Sequence, residues 1–155
     1  MALRLLWAAG GEVAVLPLCT GLFDPSWLTS DGVGDDLVPA AVDLDSDGLM
    51  DVVVGGAAGP LVYMRNVGVP GRPTLSEVSG TESPLDGLAV GEGSAPTYGN
   101  LDGDGVPTLV VGDRSGALQT FPLSENSEMV GTPLPSGSSS PAAGDLDGDG
   151  NAVCR

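Results

Sequence analysis

The stretch Asp43-Leu44-Asp45-Ser46-Asp47-Gly48-Leu49-Met50-Asp51 decides how the chain is interpreted. Side chains that carry oxygen stand at its positions 1, 3, 5 and 9, and a glycine stands at position 6. Carboxylates at alternate positions can surround one calcium ion, which takes about six to eight oxygen ligands. Glycine at position 6 permits a sharp turn with positive φ, which brings the next carbonyl, that of Leu49, toward the ion. The stretch therefore predicts a calcium-binding loop.

The same pattern recurs twice. The second copy spans 100–108, with Asn100 and Thr108 where Asp would bind more strongly, and the third spans 145–153, with Val153 in place of a ninth-position oxygen. A single acidic cluster is also compatible with a solvated turn, because Asp, Asn, Ser and Gly are ordinary turn formers. Three copies in one phase favour the metal-binding interpretation.

Each loop is part of a longer repeat. A β-branched or apolar run follows the first two loops, then a glycine turn and a second apolar run, so that 51–64 aligns with 108–121 and also with 3–16. We expect a strand before each loop (37–42 and 95–98) and a fourth strand near 74–78 and 128–132. The loops begin 57 and 45 residues apart, which is typical of propeller blades. No segment has a helical period, so almost no helix is expected.

The predicted fold is all-β, a partial β-propeller of about two full four-stranded blades with fragments at both ends. Residues 1–36 form a partial blade and connector, 37–93 a blade with loop 43–51, 94–139 a blade with loop 100–108, and 140–155 a truncated blade with loop 145–153. A signal peptide over residues 1–20 is the alternative for the N-terminal segment. The Gly-, Ser-, Pro- and Asp-rich connectors 21–36, 79–94 and 134–140 belong on the rim.

Composition excludes several classes of function. The 155 residues carry a net charge of −16, with 21 acidic and five basic residues, which argues against nucleic acid or anionic lipid as a partner. No apolar run is long enough to span a bilayer. Histidine is absent and no nucleophile–base pair stands out, so we expect no enzyme activity. Cys19 and Cys154 are compatible with one bridge or with two free thiols.

The stretches VPAAVDLDSDGLMDVVVGGAAGPLVYMRNVG and SAPTYGNLDGDGVPTLVVGDRSGALQTF resemble FG-GAP or VCBS-type repeats, the calcium-loop blades of integrin-α-like propellers. An EF-hand does not fit, because its twelfth position would be Val54 or Val111 instead of Glu. The resemblance implies an extracellular or cell-surface location. It also implies three sets of calcium ligands: Asp43, Asp45, Asp47, the Leu49 carbonyl and Asp51; Asn100, Asp102, Asp104, the Val106 carbonyl and Thr108; and Asp145, Asp147 and Asp149.

The function expected from these features is that of a non-catalytic, calcium-binding extracellular scaffold or adhesion module. Calcium would order its loops, and an unknown protein or glycan ligand would bind at loops that connect blades. The alternative is an accessory propeller of a larger secreted enzyme or carbohydrate-binding protein. A propeller needs about four to eight blades. We therefore expect further blades or self-association to close the ring, and an ending at 151–155, where a strand should continue, favours a piece of a longer protein.

Overall fold

The computed structural model describes residues 4–9, 12–17, 33–88, 90–101, 107–122, 130–133, 141, 143–144 and 153–154. These residues form twelve β-strands and one 3-10 turn, Gly80–Glu82. The strands are β1 (Arg4–Ala9), β2 (Glu12–Pro17), β3 (Val38–Val42), β4 (Asp51–Gly55), β5 (Val62–Asn66), β6 (Leu75–Val78), β7 (Ala95–Gly99), β8 (Thr108–Gly112), β9 (Ala117–Pro122), β10 (Val130–Pro133), β11 (Ala143–Gly144) and β12 (Val153–Cys154). The predicted all-β class is confirmed for this part of the chain. It contains no helix of the length and hydropathy that a membrane span requires.

Two four-stranded antiparallel sheets dominate. The first sheet has the order β3-β4-β5-β6 and the second has the order β7-β8-β9-β10, so that each is a simple meander. The strands fall within two residues of the predicted bounds at each end. Two-stranded pairs, β1-β2 and β11-β12, flank them in the sequence. The short strand β12 lies within 151–155, where the sequence predicts a strand after the third loop.

The centre of the first sheet is apolar on both faces. Val52, Val53 and Val54 on β4 are almost completely buried, although their side chains alternate between the two faces of the sheet. One face packs in a cluster with Val33 and Met64, and the other packs against residues of the second sheet. β-branched side chains suit a strand that is covered on both faces, which explains the Val-Val-Val run.

The hairpins that carry the predicted calcium loops close in one register. Val42 pairs with Asp51, Gly99 with Thr108, and Gly144 with Val153. In each hairpin the residue before the loop therefore lies opposite the ninth loop position. The repeat in the sequence is thus a repeat in three dimensions, even where the ninth residue is Thr or Val.

The two large sheets pack on each other. Their shared core includes Val42, Val53 and Tyr63 from the first sheet and Leu109, Val111 and Phe121 from the second. The strands that precede the three predicted calcium loops, here called the leading strands, are β3, β7 and β11. β3 is a neighbour of β7, and β11 lies next to β7. Successive units therefore place their leading strands side by side.

The connector segments contribute to this packing, which the prediction of rim loops missed. Val33 and Leu85 are buried. The backbone N–H of Ala57 donates to the Asp35 carbonyl (2.7 Å), and that of Arg114 donates to the Glu92 carbonyl (2.8 Å). The second hydrogen bond is equivalent to the first, because both of its residues lie 57 positions further along the sequence. The connectors that end at residues 36 and 94 are thus each hydrogen bonded to the central turn of the unit that follows in the sequence.

The N-terminal hairpin forms as the internal alignment predicts, but its register differs. Arg4 pairs with Pro17 and Ala9 pairs with Glu12. If the alignment with the other two units held residue for residue, Arg4 would pair with Leu16, as Leu109 pairs with Phe121. The pairing is shifted because only two residues separate β1 from β2. A shift of one residue moves the side chains of one strand to the opposite face of the sheet, relative to those of its partner.

The junction between the two sheets leads to the first prediction. A Cβ on Gly55 would collide with the Ser94 carbonyl and would lie 2.8 Å from Pro96 Cδ. In an isolated strand Gly55→Val would be stabilising, because Val has the higher β propensity. We expect it to lower the free energy of unfolding by about 3 kcal/mol instead, because the junction is overpacked. Urea unfolding of both proteins measures this.

Ala41→Val is the matched control for that substitution. Ala41 lies on β3 in the same sheet but is exposed. We expect it to change the free energy of unfolding by less than about 0.5 kcal/mol. A Gly55→Val protein that is as stable as the wild type would contradict the packing of Gly55 against the second unit.

The turn between β8 and β9 is held by Asp113, and this leads to the second prediction. Its Oδ1 accepts hydrogen bonds from the N–H and hydroxyl of Ser115 and from the N–H of Ala117. These bonds, the Ser115 hydroxyl first, lower the pKa of the Asp113 carboxyl despite its burial. The stabilisation from this lowered pKa is fully present above the unfolded-state value of about 3.9 and is lost as pH falls through the folded-state value.

We therefore expect Asp113→Asn, which keeps the shape but removes the charge, to be less stable than the wild type at pH 7. The difference in the free energy of unfolding should shrink as pH falls from about 5 to 3. Urea unfolding at several pH values checks this. A difference that does not depend on pH would show that the charge contributes nothing.

Candidate metal centre

The first loop turns as its glycine predicts. Gly48 has a φ of +85°, and a Cβ built on it would meet nothing within 4 Å. The reason for glycine at this position is therefore the left-handed backbone conformation and not a lack of space. Ser46, two residues earlier, also has a positive φ of 59°. The chain thus doubles back between β3 and β4 and directs its early acidic residues toward the ninth position.

Three carboxylates converge inside this loop. One oxygen atom from each of Asp43, Asp45 and Asp51 lies within 4.8 Å of the other two. The Asp43 carboxylate also holds the loop, because it accepts hydrogen bonds from the N–H groups of Asp47 (3.1 Å) and Gly48 (3.0 Å). The turn that the glycine makes possible is therefore fixed by one of the three acidic residues.

Asp51 is the buried member of the three. It has no exposed surface, yet its carboxylate is well supplied with donors. Oδ2 accepts hydrogen bonds from the N–H of Leu44 (3.1 Å) and the hydroxyl of Tyr63 (2.7 Å), and Oδ1 accepts one from the N–H of Asn66 (2.7 Å). A buried carboxylate without such partners would be strongly destabilising. Because a carboxylate has about four lone-pair sites, Oδ1 retains capacity to bind a cation.

Asn66 extends this network to the next turn. Its side chain is buried, with Nδ2 donating to the Met50 carbonyl at 3.0 Å. Its Oδ1 accepts hydrogen bonds from the N–H groups of Gly68 and Thr74. The end of the acidic loop is thereby joined to the turn between β5 and β6, so that the site is supported by three strands of the first sheet.

Two tyrosines contact the loop as hydrogen-bond donors. Burial raises the pKa of Tyr63, and its hydrogen bond to Asp51 raises it further. Burial, followed by the charge of Asp43, raises the pKa of Tyr98 in the second sheet, whose hydroxyl donates to the Asp43 carbonyl at 3.2 Å. Both phenols therefore stay protonated at neutral pH. Tyr98 connects the second unit directly to the start of the first loop.

Arg65 supplies the positive charge nearest to the three carboxylates. Its Nε lies 2.6 Å from Oδ2 of Asp45, and both side chains are partly exposed to solvent. Pairs of this kind contribute little to stability, about 0–1 kcal/mol. The pair nevertheless offsets one of the converging negative charges, and it leaves the other oxygen of Asp45 directed to the loop, where it accepts the N–H of Asp47 at 3.3 Å.

The structure places the remaining predicted ligands as follows. Asp47 is not one of the three converging residues, and its Oδ1 accepts the N–H of Leu49 (2.7 Å). Leu49 is half-buried in the loop. In the second loop Asn100 and Thr108 flank the hairpin and are partly buried. Five predicted ligands and one predicted carbonyl ligand lie outside the described residues: Asp102, Asp104, Asp145, Asp147, Asp149 and Val106.

Comparison with known proteins adds no relative. No family model, no curated protein and no solved structure matches the chain. The resemblance to FG-GAP and VCBS-type repeats therefore rests on the loop and strand motifs themselves.

The residues that sequence reasoning missed are those that hold Asp51. No sequence motif marks Tyr63 and Asn66 as the partners of Asp51, or Arg65 as the partner of Asp45. In the aligned second unit Thr108 stands in place of Asp51 and Thr120 in place of Tyr63. Most aligned positions of 51–64 and 108–121 differ, so this joint change is not a signal of contact.

The network around Asp51 leads to the third prediction. Tyr63→Phe removes a short hydrogen bond to a buried carboxylate, so we expect it to lower the free energy of unfolding by about 2 kcal/mol. Tyr98→Phe is the control, because its hydroxyl donates to a neutral carbonyl and its loss should cost less than about 1 kcal/mol. Urea unfolding in the presence of a chelator measures both. Equal losses would contradict a special role for Asp51.

Proposed function

We propose that the chain is a non-catalytic calcium-binding module in which calcium orders the loops of propeller blades of the FG-GAP or VCBS type. The observation that carries this proposal is the convergence of Asp43, Asp45 and Asp51 in a loop closed by a left-handed glycine. Hard carboxylate oxygens in a flexible loop suit Ca²⁺, which tolerates irregular coordination better than Mg²⁺ does.

The oxygen ligands of the three acidic residues suit a cation. Each of the three carboxylates accepts hydrogen bonds from the protein but has further lone pairs with which to bind a cation. Asp47 and the Leu49 carbonyl complete the predicted ligand set. Like charges this close repel one another, so a divalent ion would stabilise the loop and hold β4 in position relative to β3.

The arrangement of the strands supports the propeller part of the proposal. The two meandering sheets have four strands each, they pack face to face, and their leading strands are neighbours. These are features of adjacent propeller blades. In such an arrangement the calcium loops of successive blades would lie at equivalent positions, because their hairpins close in the same register.

The role proposed for the module is structural and extracellular. The chain has no histidine and no lysine, and its acidic residues are used as ligands instead of acid–base catalysts. A scaffold or adhesion function, with a protein or glycan ligand at the loops that connect blades, fits a rigid, calcium-ordered framework. The extracellular location follows from the resemblance, and a calcium dissociation constant of about 10⁻⁴–10⁻³ M is then expected.

Calcium titration of the whole chain tests the proposal and is the fourth prediction. We expect binding with a dissociation constant of about 10⁻⁴–10⁻³ M, and much weaker binding of Mg²⁺. With about 10 mM Ca²⁺, one such site raises the free energy of unfolding by about 1.4–2.7 kcal/mol. Calorimetry and thermal unfolding with calcium or chelator measure the two effects.

Asp43→Asn and Asp86→Asn make a matched pair for this experiment. Asp43 is one of the three converging residues, whereas Asp86 is an exposed acidic residue on the connector. Asp43→Asn should weaken the first site at least tenfold, and Asp86→Asn should leave it unchanged. A wild-type chain that binds no calcium, or equal effects of the two substitutions, would contradict the proposal.

A further inference from the structure

A cavity of about 590 Å³ lies beside the acidic loop of the first unit. Its volume is within the range of small-molecule sites, about 300–1,000 Å³. Strands β5 and β6, the acidic loop and the segment that follows β6 form its walls. The lining residues are Leu44, Asp45, Tyr63, Arg65, Val78, Thr81, Glu82, Ser83 and Pro84.

The cavity combines an apolar floor with a polar rim. Leu44 and Tyr63 are buried and Val78 is half-buried, whereas the charged residues Arg65 and Glu82 are exposed. The Tyr63 hydroxyl donates to Asp51, so this floor residue is held in place by the network of the acidic loop. The lining is therefore apolar where it is deepest and polar where it meets solvent.

The rim offers donors and acceptors together. Arg65 can only donate hydrogen bonds, the carboxylates of Asp45 and Glu82 only accept them, and the hydroxyls of Thr81 and Ser83 do both. The ion pair between Arg65 and Asp45 places a donor and an acceptor side by side. A neutral ligand with several hydroxyl groups would use both kinds of group, whereas a cationic ligand would use only the acceptors.

We propose that this cavity binds one unit of a neutral saccharide. The C–H face of a sugar ring would pack on Leu44 and Val78, and its hydroxyls would bond to Arg65, Glu82 and their neighbours. Anionic ligands are disfavoured by two carboxylates on the rim and by a net charge of −16. A purely apolar ligand would leave the charged rim groups desolvated without partners. The inference rests on the glycan-ligand part of the proposed function and assigns it a place, and none of the contacts needs a metal ion.

Saturation-transfer NMR on the whole chain tests this proposal and is the fifth prediction. The probes are glucose, galactose, mannose, fucose and N-acetylglucosamine at millimolar concentration, each measured with calcium and with chelator. At least one should receive saturation under both conditions. Arg65→Met removes the rim donor and Thr81→Trp fills the cavity from an exposed position, so each should weaken binding at least tenfold. Arg72→Met, at an exposed arginine outside the cavity, is the control and should leave binding unchanged.

Several outcomes would overturn the proposal. Absence of saturation transfer to all five sugars is one, and binding that survives both cavity variants is another. Sugar binding that requires calcium and survives both variants would place the sugar on the metal site instead of in the cavity. Nα-acetyllysine amide serves as a probe for basic peptides, and if it alone binds with the same dependence on the variants, the site recognises cations. Because sugar binding is read in chelator as well, its failure is distinguishable from failure of the calcium proposal. Melting temperatures of the variants confirm that they fold.

Discussion

The buried carboxylate of Asp51 is the interaction on which the first unit depends. It lies at the start of β4, at the ninth position of the loop, and at the deepest point of the three converging acids. Its donors come from the loop (Leu44), from near the start of β5 (Tyr63) and from the end of β5 (Asn66). Removing a charge from water is strongly unfavourable unless it is compensated, so the loop and the two strands must adopt this arrangement together. Loop geometry, sheet register and the candidate metal centre are therefore one cooperative feature of the molecule.

The second unit shows what happens when this charge is absent. Displaced by 57 residues, Thr108 stands at the position of Asp51, and Thr120 stands at the position of Tyr63. The second unit thus lacks both the aspartate and the tyrosine whose hydroxyl donates to it in the first unit. Neither group is therefore left buried without its partner. The hairpin nevertheless closes in the same register, with Gly99 opposite Thr108. The backbone and the apolar pattern are therefore sufficient for the fold of a unit that lacks this buried charge.

Much of this organisation could be predicted from short-range patterns. The left-handed Gly48, the strand on either side of the loop and the repeat of the hairpins follow from local residue preferences, and all three are present. The contacts of Asp51 with Tyr63 and Asn66 could not be predicted, because they depend on cross-strand register and on the length of two turns. Burial of Val33 and Leu85 was missed for a similar reason, since connectors rich in turn formers show no periodicity. The shift in the β1–β2 pairing also depends on turn length, which the alignment of apolar positions does not report.

The two sheets pack in a head-to-tail manner. Val52, Val54 and Met64 of the first sheet share one face, and their equivalents in the second sheet, Leu109, Val111 and Phe121, pack on the opposite face of the first sheet. The second unit thus uses the face equivalent to that of Val52 and Val54 to contact the opposite face of the first unit. Contacts of this heterologous kind do not end after two copies: they close into a ring if the rotation between units permits, and otherwise continue as an open array. The leading strands β3, β7 and β11 lie side by side, so each added unit would extend the array along that edge. Whether the array closes therefore depends on the rotation between successive units as well as on their number.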